Sequence, residues 1–248
     1  MTHVFQFSGG KDSTAMLLWA IDNGFDFQNM DAEKPAIAVM CDTAWEHPLT
    51  YAYVQHINET VLGGKLVTVK SAKYDGLVDL SAKKQIIPNA RKRFCTEELK
   101  IKPFVAWMNK QNFDEATVYQ GIRSGESRTR SQMPRRVWES LYEAWIERPL
   151  FDWTAAQVFA MHDKRGIDPN PLYLAGAKRV GCWPCVMINK GELRRLSVTQ
   201  PEIWERIAQV EDTVKGHGFF RNDFIPERFH SARYNETGTY ATWQDVKF

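Results

Sequence analysis

Residues 3–13 constrain the fold more than any other stretch of the chain. His3-Val4-Phe5-Gln6-Phe7 alternates as a short strand and runs straight into Ser8-Gly9-Gly10-Lys11-Asp12-Ser13. A helix is expected next, over Thr14–Asn23, on the apolar set Ala15, Met16, Leu17, Leu18, Trp19 and Ile21. A strand that empties through two glycines into a helix gathers backbone N–H groups at the positive end of the helix dipole. Such a cup binds phosphate. Glycine lets the backbone approach the anion, while Lys11 and the hydroxyls of Ser8 and Ser13 add donors.

The pattern then repeats. Ala36–Cys41 reads as a buried strand, Pro48–Leu62 as a helix stopped by Gly63-Gly64, and Lys65–Lys70 as a third strand. Glu97–Lys110 reads as helix, and Ala116–Gln120 as a strand ahead of Gly121. Strands alternating with helices imply an α/β fold, a parallel, doubly wound, Rossmann-like sheet with helices on both faces. Ligands of such sheets lie beyond the carboxyl ends of the strands. The glycine cup, Asp42-Thr43 and Gly121-Ile122-Arg123 all fall at such ends and are expected to line one crevice. After Arg148-Pro149 the pattern changes. A helix is expected from Thr154 to Asp163, a Gly/Pro/Asn-rich loop over Gly166–Gly176, and helices over Lys190–Leu196 and Pro201–Gly216. Arg221–Phe248 is polar and aromatic. The expected division is a nucleotide-binding domain over 1–148 and a helical, loop-rich region over 149–248.

The chain has 248 residues and a formal net charge of +2, so no global field calls for nucleic acid or membrane. No apolar run reaches the length of a membrane span, and the first residues lack the pattern of a signal peptide. A cytoplasmic protein with no membrane partner is expected. In that compartment the four cysteines, Cys41, Cys95, Cys182 and Cys185, read as metal or redox chemistry before they read as disulfides. Cys182 and Cys185 form a CxxC turn. With distant Cys95 they suit a soft iron–sulfur site, with zinc or reduced buried thiols as the alternatives. Cys41 ends a strand and reads as core. The nine tryptophans read mostly as packing, though a cluster beside a groove can stack a base.

Arg123, Arg128 and Arg130 offer planar forks suited to phosphate or sulfate oxygens, and Lys92 and Arg93 can add to the same field. Arg135 and Arg136 read as solvent-facing, or as contacts to a polyanion. Asp12 or Asp42 can hold Mg²⁺ bridging phosphates, with helix capping as the competing role of Asp12.

The loop lacks the spacing of a Walker A motif and the three glycines of the dinucleotide fingerprint. It resembles the pyrophosphate (PP) loop of the adenine-nucleotide alpha-hydrolase superfamily. Asp42-Thr43, with Glu46, Pro48, Thr50 and Tyr51, resembles the DTG-x-E-x-P-x-T-Y segment of the phosphoadenosine-phosphosulfate (PAPS) reductase family, with Ala44 at its glycine. Lys92-Arg93-Phe94-Cys95-Thr96 with Lys100 and Pro103 is similar to that family's K-R-x-C-T…LK-x-x-P. Gly121-Ile122-Arg123, Glu126-Ser127 and Arg130 are similar to its G-I-R-x-x-E-S-x-x-R. Pro149-Leu150, Asp152-Trp153 and Val158 follow its P-L-x-D-W pattern. Asn170-Pro171-Leu172-Tyr173, Gly176 and Gly181-Cys182-Trp183-Pro184-Cys185 resemble its N-P-L-Y…G…GCxPC element. The matches run in order from residue 5 to residue 185.

This resemblance implies a HUP-type fold and an enzyme that attacks ATP at its α-phosphate, releasing pyrophosphate. It implies nucleotide contacts from Ser8, Gly9, Gly10, Lys11, Asp12, Ser13, Asp42, Thr43, Gly121, Arg123 and Arg130, with Lys11, Asp12 and Arg123 catalytic. Related adenylylsulfate reductases carry a paired Cys-Cys where this chain has Phe94-Cys95. Cys95, Cys182 and Cys185 are then three ligands of a [4Fe–4S] cluster with one open iron. The family's reductases also use a cysteine in a C-terminal E-C-G-x-H tail, and these 248 residues hold no cysteine after Cys185. The resemblance extends to proteins that install phosphorothioate in DNA. The expected activity is adenylylation of an acceptor oxygen that permits sulfur insertion, with DNA or tRNA as acceptor and a cysteine desulfurase as sulfur source. The rival readings are a PAPS or adenylylsulfate reductase with an external thiol, and a nucleotide-binding subunit without turnover.

Overall fold

The computed structural model describes residues 1–111, 113–214 and 218–219. The tail at 221–248 and the end of the expected 201–216 helix lie outside the described residues. In chain order the elements are β1 (Thr2–Phe7), α1 (Lys11–Asp22), β2 (Ala36–Cys41), α2 (Pro48–Thr60), β3 (Val67–Val69) and α3 (Leu77–Lys84). Then come α4 (Phe94–Thr96), a π-turn (Glu97–Ile101), α5 (Lys102–Lys110), β4 (Ala116–Gln120) and α6 (Arg128–Ser131). The chain continues through β5 (Arg136–Glu139), β6 (Ala144–Glu147), α7 (Ala155–Arg165), α8 (Lys190–Thr199) and α9 (Ile203–Glu211).

The chain divides into two compact units. The first holds residues 1–41, 46–69 and 103–181; the second holds 42–45, 70–102 and 182 onward. This division differs from the expected boundary at 148. Residues 149–181 stay with the sheet because Leu150 and Val158, on and before α7, are buried in the core shared with α1.

The first unit is a six-stranded sheet in the order β3-β2-β1-β4-β6-β5. Every pairing is parallel except β5 on β6. The doubly wound α/β reading is therefore the observed fold. Period-two alternation explains its layers. Phe5 and Phe7 of β1, with Ala36, Ala38 and Met40 of β2, face α1, α2 and α7. Val4, Val39, Val69, Val118 and Ile146 face Phe104 and Met108 of α5. Local chemistry sets the helix starts. His47 accepts the Leu49 N–H at 3.0 Å and Pro48 opens α2. Thr154 and Gln157 form a reciprocal capping box on α7.

The second unit packs helices around Trp45, Tyr74, Leu77, Leu80, Leu99, Trp183, Leu193, Ile203 and Ile207. Its GCWPC turn is tied down. The Trp183 N–H donates to the Trp45 carbonyl at 2.8 Å, and the Trp45 indole donates to the Pro184 carbonyl at 2.9 Å. The Arg206 guanidinium lies 4.2 Å from the Trp45 ring centroid and 5.3 Å from that of Trp183. Among the described residues no helix is long and apolar enough to cross a membrane.

Candidate functional site

Strand order reverses between β1 and β4: β2 and β3 lie on one side, β6 and β5 on the other. At such a switch point the two outgoing loops part and leave a crevice. Ser8-Gly9-Gly10 leaves β1 there, and Gly121-Ile122-Arg123 leaves β4. Gly9 has φ +70°, and a Cβ on it would sit 2.8 Å from Val54 Cγ2. A Cβ on Gly121 would sit 2.9 Å from the Asp12 carbonyl oxygen and 3.0 Å from Ser13 Cα. Both glycines are thus required by close approach. Gly10 caps α1 without a side chain, so no cap group competes for the amides that follow Lys11, whose own N–H is held by Tyr173. Ser13 braces the turn: its hydroxyl donates to the Gly10 carbonyl at 2.9 Å and accepts the Ser8 N–H at 3.2 Å.

Charge gathers at the same point. The Lys11 ammonium lies 2.9 Å from one Asp12 oxygen, and the Arg123 Nε donates to the other. Lys11 and Arg123 are both buried. Two buried cations share one carboxylate, an excess of one positive charge. Uncompensated buried charge is costly, and a bound anion removes the cost. Asp12 does not cap its helix; it neutralises its neighbours. Glu126 extends the network, accepting the Arg123 N–H at 2.9 Å and pairing with Arg130. The G-I-R-x-x-E-S-x-x-R spacing therefore places Arg130 on Glu126, which in turn holds the Arg123 backbone.

Three residues that brace the cup carried no role in the sequence reading. Asn170, fully buried, donates to the Gly9 carbonyl at 3.1 Å. The Tyr173 hydroxyl accepts the Lys11 N–H at 3.2 Å, and the Lys11 ammonium lies 5.0 Å from the Tyr173 ring centroid. Burial pushes the Tyr173 phenol up to about 12. The His162 ring on α7 lies between two carbonyls, with Nε2 2.9 Å from the Lys11 oxygen and Nδ1 3.0 Å from that of Ile167. The N-P-L-Y segment was legible as a motif, but only the fold shows that it clamps the loop.

Asp42 and Thr43 belong to the second unit. Asp42 pairs with Lys70 at 3.0 Å and accepts the Ala44 N–H at 2.8 Å. Ala44 sits at φ +52°, a conformation that favours the glycine of the resembled motif. Asp12 thus faces two cations and Asp42 faces Lys70. Cys95, Cys182 and Cys185 also share the second unit. Thr43 Oγ1 and Cys182 Sγ are 3.8 Å apart, and Cys185 Sγ accepts the Met187 N–H at 3.4 Å. The Cys95 thiol is pushed up, chiefly by burial and then by nearby Cys185. Among the described residues no group of three or more His, Cys, Asp or Glu side chains is placed to hold a metal ion. The three thiols share the second unit. Cys41 packs at the edge of the sheet core, as expected.

A phosphate cup at the switch point of a doubly wound sheet defines a nucleotide-utilising protein of the PP-loop kind. Residues 2–187 match the phosphoadenosine phosphosulfate reductase domain. The chain belongs to that family. It is 27% identical over 263 aligned positions to an uncharacterised 37.8 kDa protein of Escherichia phage 186, covering 86% of this chain and 75% of that one. It is 34% identical over 108 residues to adenosine 5'-phosphosulfate reductase of Allochromatium vinosum, covering 44% of this chain and 40% of that enzyme. The crystal structure of PAPS reductase from Candida auris in its phosphate complex has the same fold. Its TM-score is 0.55 at 18% identity, covering 74% of this chain and 82% of that one.

Proposed function

We propose that this chain is an ATP pyrophosphatase that adenylylates an acceptor oxygen so that sulfur can replace it. The carrying observation is the buried Lys11–Asp12–Arg123 set, with its excess positive charge, at the amide-rich start of α1. ATP binds with magnesium as its own counter-ion. Ser8, Gly9, Gly10 and Ser13 cradle the phosphates, and Gly121 keeps the β4 loop close behind them. The acceptor oxygen attacks the α-phosphorus. A new O–P bond forms as the bond to the β-phosphate oxygen breaks, and pyrophosphate leaves. Lys11, Arg123 and the first-turn amides stabilise the charge that builds on the leaving group. Hydrosulfide then attacks the activated centre of the acceptor, and AMP departs with the original oxygen. A cysteine desulfurase with a thiol reductant supplies the hydrosulfide. The acceptor is a phosphate of the DNA backbone, on the resemblance to phosphorothioation proteins; a base carbonyl of tRNA is activated by the same chemistry.

Pyrophosphate release from MgATP, measured with DNA, with tRNA and with no acceptor, tests the reading. Acceptor-dependent release, abolished in Lys11→Ala, is expected. Sulfite release from a sulfonucleotide with thioredoxin present would overturn it in favour of reduction. Nucleotide binding without release on any acceptor would reduce the chain to a binding subunit.

A further inference from the structure

The β5–β6 hairpin turns one face to the core and the other outward. Val137, Ala144 and Ile146 pack against the sheet core. The cross-strand pairs Arg136↔Glu147 and Trp138↔Trp145 occupy the opposite face. Trp138 is 50% exposed and Trp145 40%. Their rings meet edge to face at 5.7 Å, and the Arg136 guanidinium lies 4.3 Å from the Trp145 ring centroid. Two half-exposed indoles beside a stacked guanidinium are an exposed aromatic patch of the kind that meets a partner.

The segment leading into it is basic, with Glu126, Asp152 and Glu147 as partners of three of its arginines. Residues 128–136 read RTRSQMPRR, four arginines and no acid. Arg135 pairs with Asp152 and Arg136 with Glu147, but both arginines are more than half exposed. Exposed pairs of this kind are weak and exchange readily for phosphate. Arg148, at the carboxyl end of β6, is buried. Its Nη1 donates to the Pro134 carbonyl at 2.6 Å and its Nε has no acceptor among the described residues. The arginine segment joins the end of β4, where the cup lies, to the start of β5. Those strands are two spacings apart, about 10 Å.

We propose that this face is a stacking platform for an unpaired stretch of nucleic acid, with bases on Trp138 and Trp145 and phosphates on Arg128, Arg135 and Arg136. Aromatic rings take any base, and arginines along the edge take the backbone, which is the chemistry of single-strand binding. The inference rests on the adenylylation reading in one respect: the strand that stacks here is the acceptor.

The test is fluorescence anisotropy with a short fluorescein-labelled oligodeoxynucleotide of mixed sequence, the same sequence as RNA, and the DNA duplex, each at low and moderate salt. Single strands should bind, more weakly as salt rises. Trp138→Ala should weaken binding about tenfold, as loss of one stacked base does. Trp138→Phe keeps a ring and should retain most of the affinity, and Arg136→Glu should lose it. Affinity for an ATP analogue should stay at the wild-type value in all three variants, which also reports that they fold. A preference between DNA and RNA would identify the acceptor's class, and either supports the platform. Equal affinity in Trp138→Ala and wild type overturns the proposal. So does preference for the duplex, or loss of a homodimer in sedimentation as the sole effect of Trp138→Ala, which would make the face a self-association surface. The assay needs no turnover, so its failure leaves the adenylylation reading standing, and the converse holds.

Discussion

Adding one methyl group at Gly121 should separate the cup from the rest of the fold. An alanine Cβ there would meet three backbone atoms: the Asp12 oxygen at 2.9 Å, the Asp12 carbonyl carbon at 3.0 Å and Ser13 Cα at 3.0 Å. Comfortable contacts lie at about 3.5 Å, so roughly 0.5 Å must be found. No flexible side chain can yield, because all three atoms are main chain of the first turn of α1. Overpacking of this kind costs about 1–3 kcal/mol, and in a chain of this size each kcal/mol lowers Tm by about 2–4 °C. The strain is relieved by moving the amides that hold phosphate. A loss of about 1.4 kcal/mol of binding is tenfold in Kd, so Gly121→Ala should bind a non-hydrolysable ATP analogue at least about tenfold more weakly. Titration calorimetry and thermal melts measure the two effects. Gly125→Ala is the control, since a Cβ there meets nothing within 4 Å. If Gly121→Ala binds the analogue within about twofold of wild type, with 1.4 kcal/mol per decade as the yardstick, the cup is not the nucleotide site.

Asn170→Ala removes the buried donor to the Gly9 carbonyl. It should cost about 1–3 kcal/mol in a thermal melt and slow pyrophosphate release, while a surface role for Asn170 predicts neither. Ala44→Gly relieves the φ of +52° and should raise stability by about 0.5–1 kcal/mol, read as a higher Tm; a lower Tm would contradict the strain. Burial raises the phenols of Tyr53, Tyr119 and Tyr173 from 10.0 to about 12. The folded state then holds these protons more tightly than the unfolded chain. Their stabilisation is whole below pH 10 and is lost as pH rises to 12, so Tm should fall across that window, less steeply in Tyr173→Phe. A Tm that stays level through pH 12 would contradict it.

The parallel half of the sheet was legible because its strands are buried on both faces. Ala36–Cys41 and Ala116–Gln120 appear at the residues where the sequence puts them. The β5–β6 hairpin was not legible. Its outward positions carry Arg136, Trp138, Trp145 and Glu147, so the alternation is hidden by side chains that face water. The short α3 was missed for want of length, at eight residues. The observed two-unit division was not legible for another reason. The second unit draws on 42–45, 70–102 and 182 onward, and no composition shift marks three separated segments that share a core.

The cup shows the same limit at the level of chemistry. Ser8–Ser13 could be read locally because a glycine turn between strand and helix has one stable geometry. What fixes that turn could not. Asn170 reaches Gly9 across 161 positions, Tyr173 reaches Lys11 across 162, and His162 reaches the Lys11 carbonyl across 151. Each is a hydrogen bond between groups whose spacing in sequence carries no period, so only the folded chain reveals it. Their joint effect is rigidity. The Gly9 carbonyl and the Lys11 amide and carbonyl are each held by a side chain from beyond residue 160, so the loop need not reorganise when phosphate arrives. In the proposed reaction, donors already set in place cost nothing to align as charge builds on a leaving group. Under the proposed adenylylation, residues 162–173 would serve the activating step by holding its backbone in place.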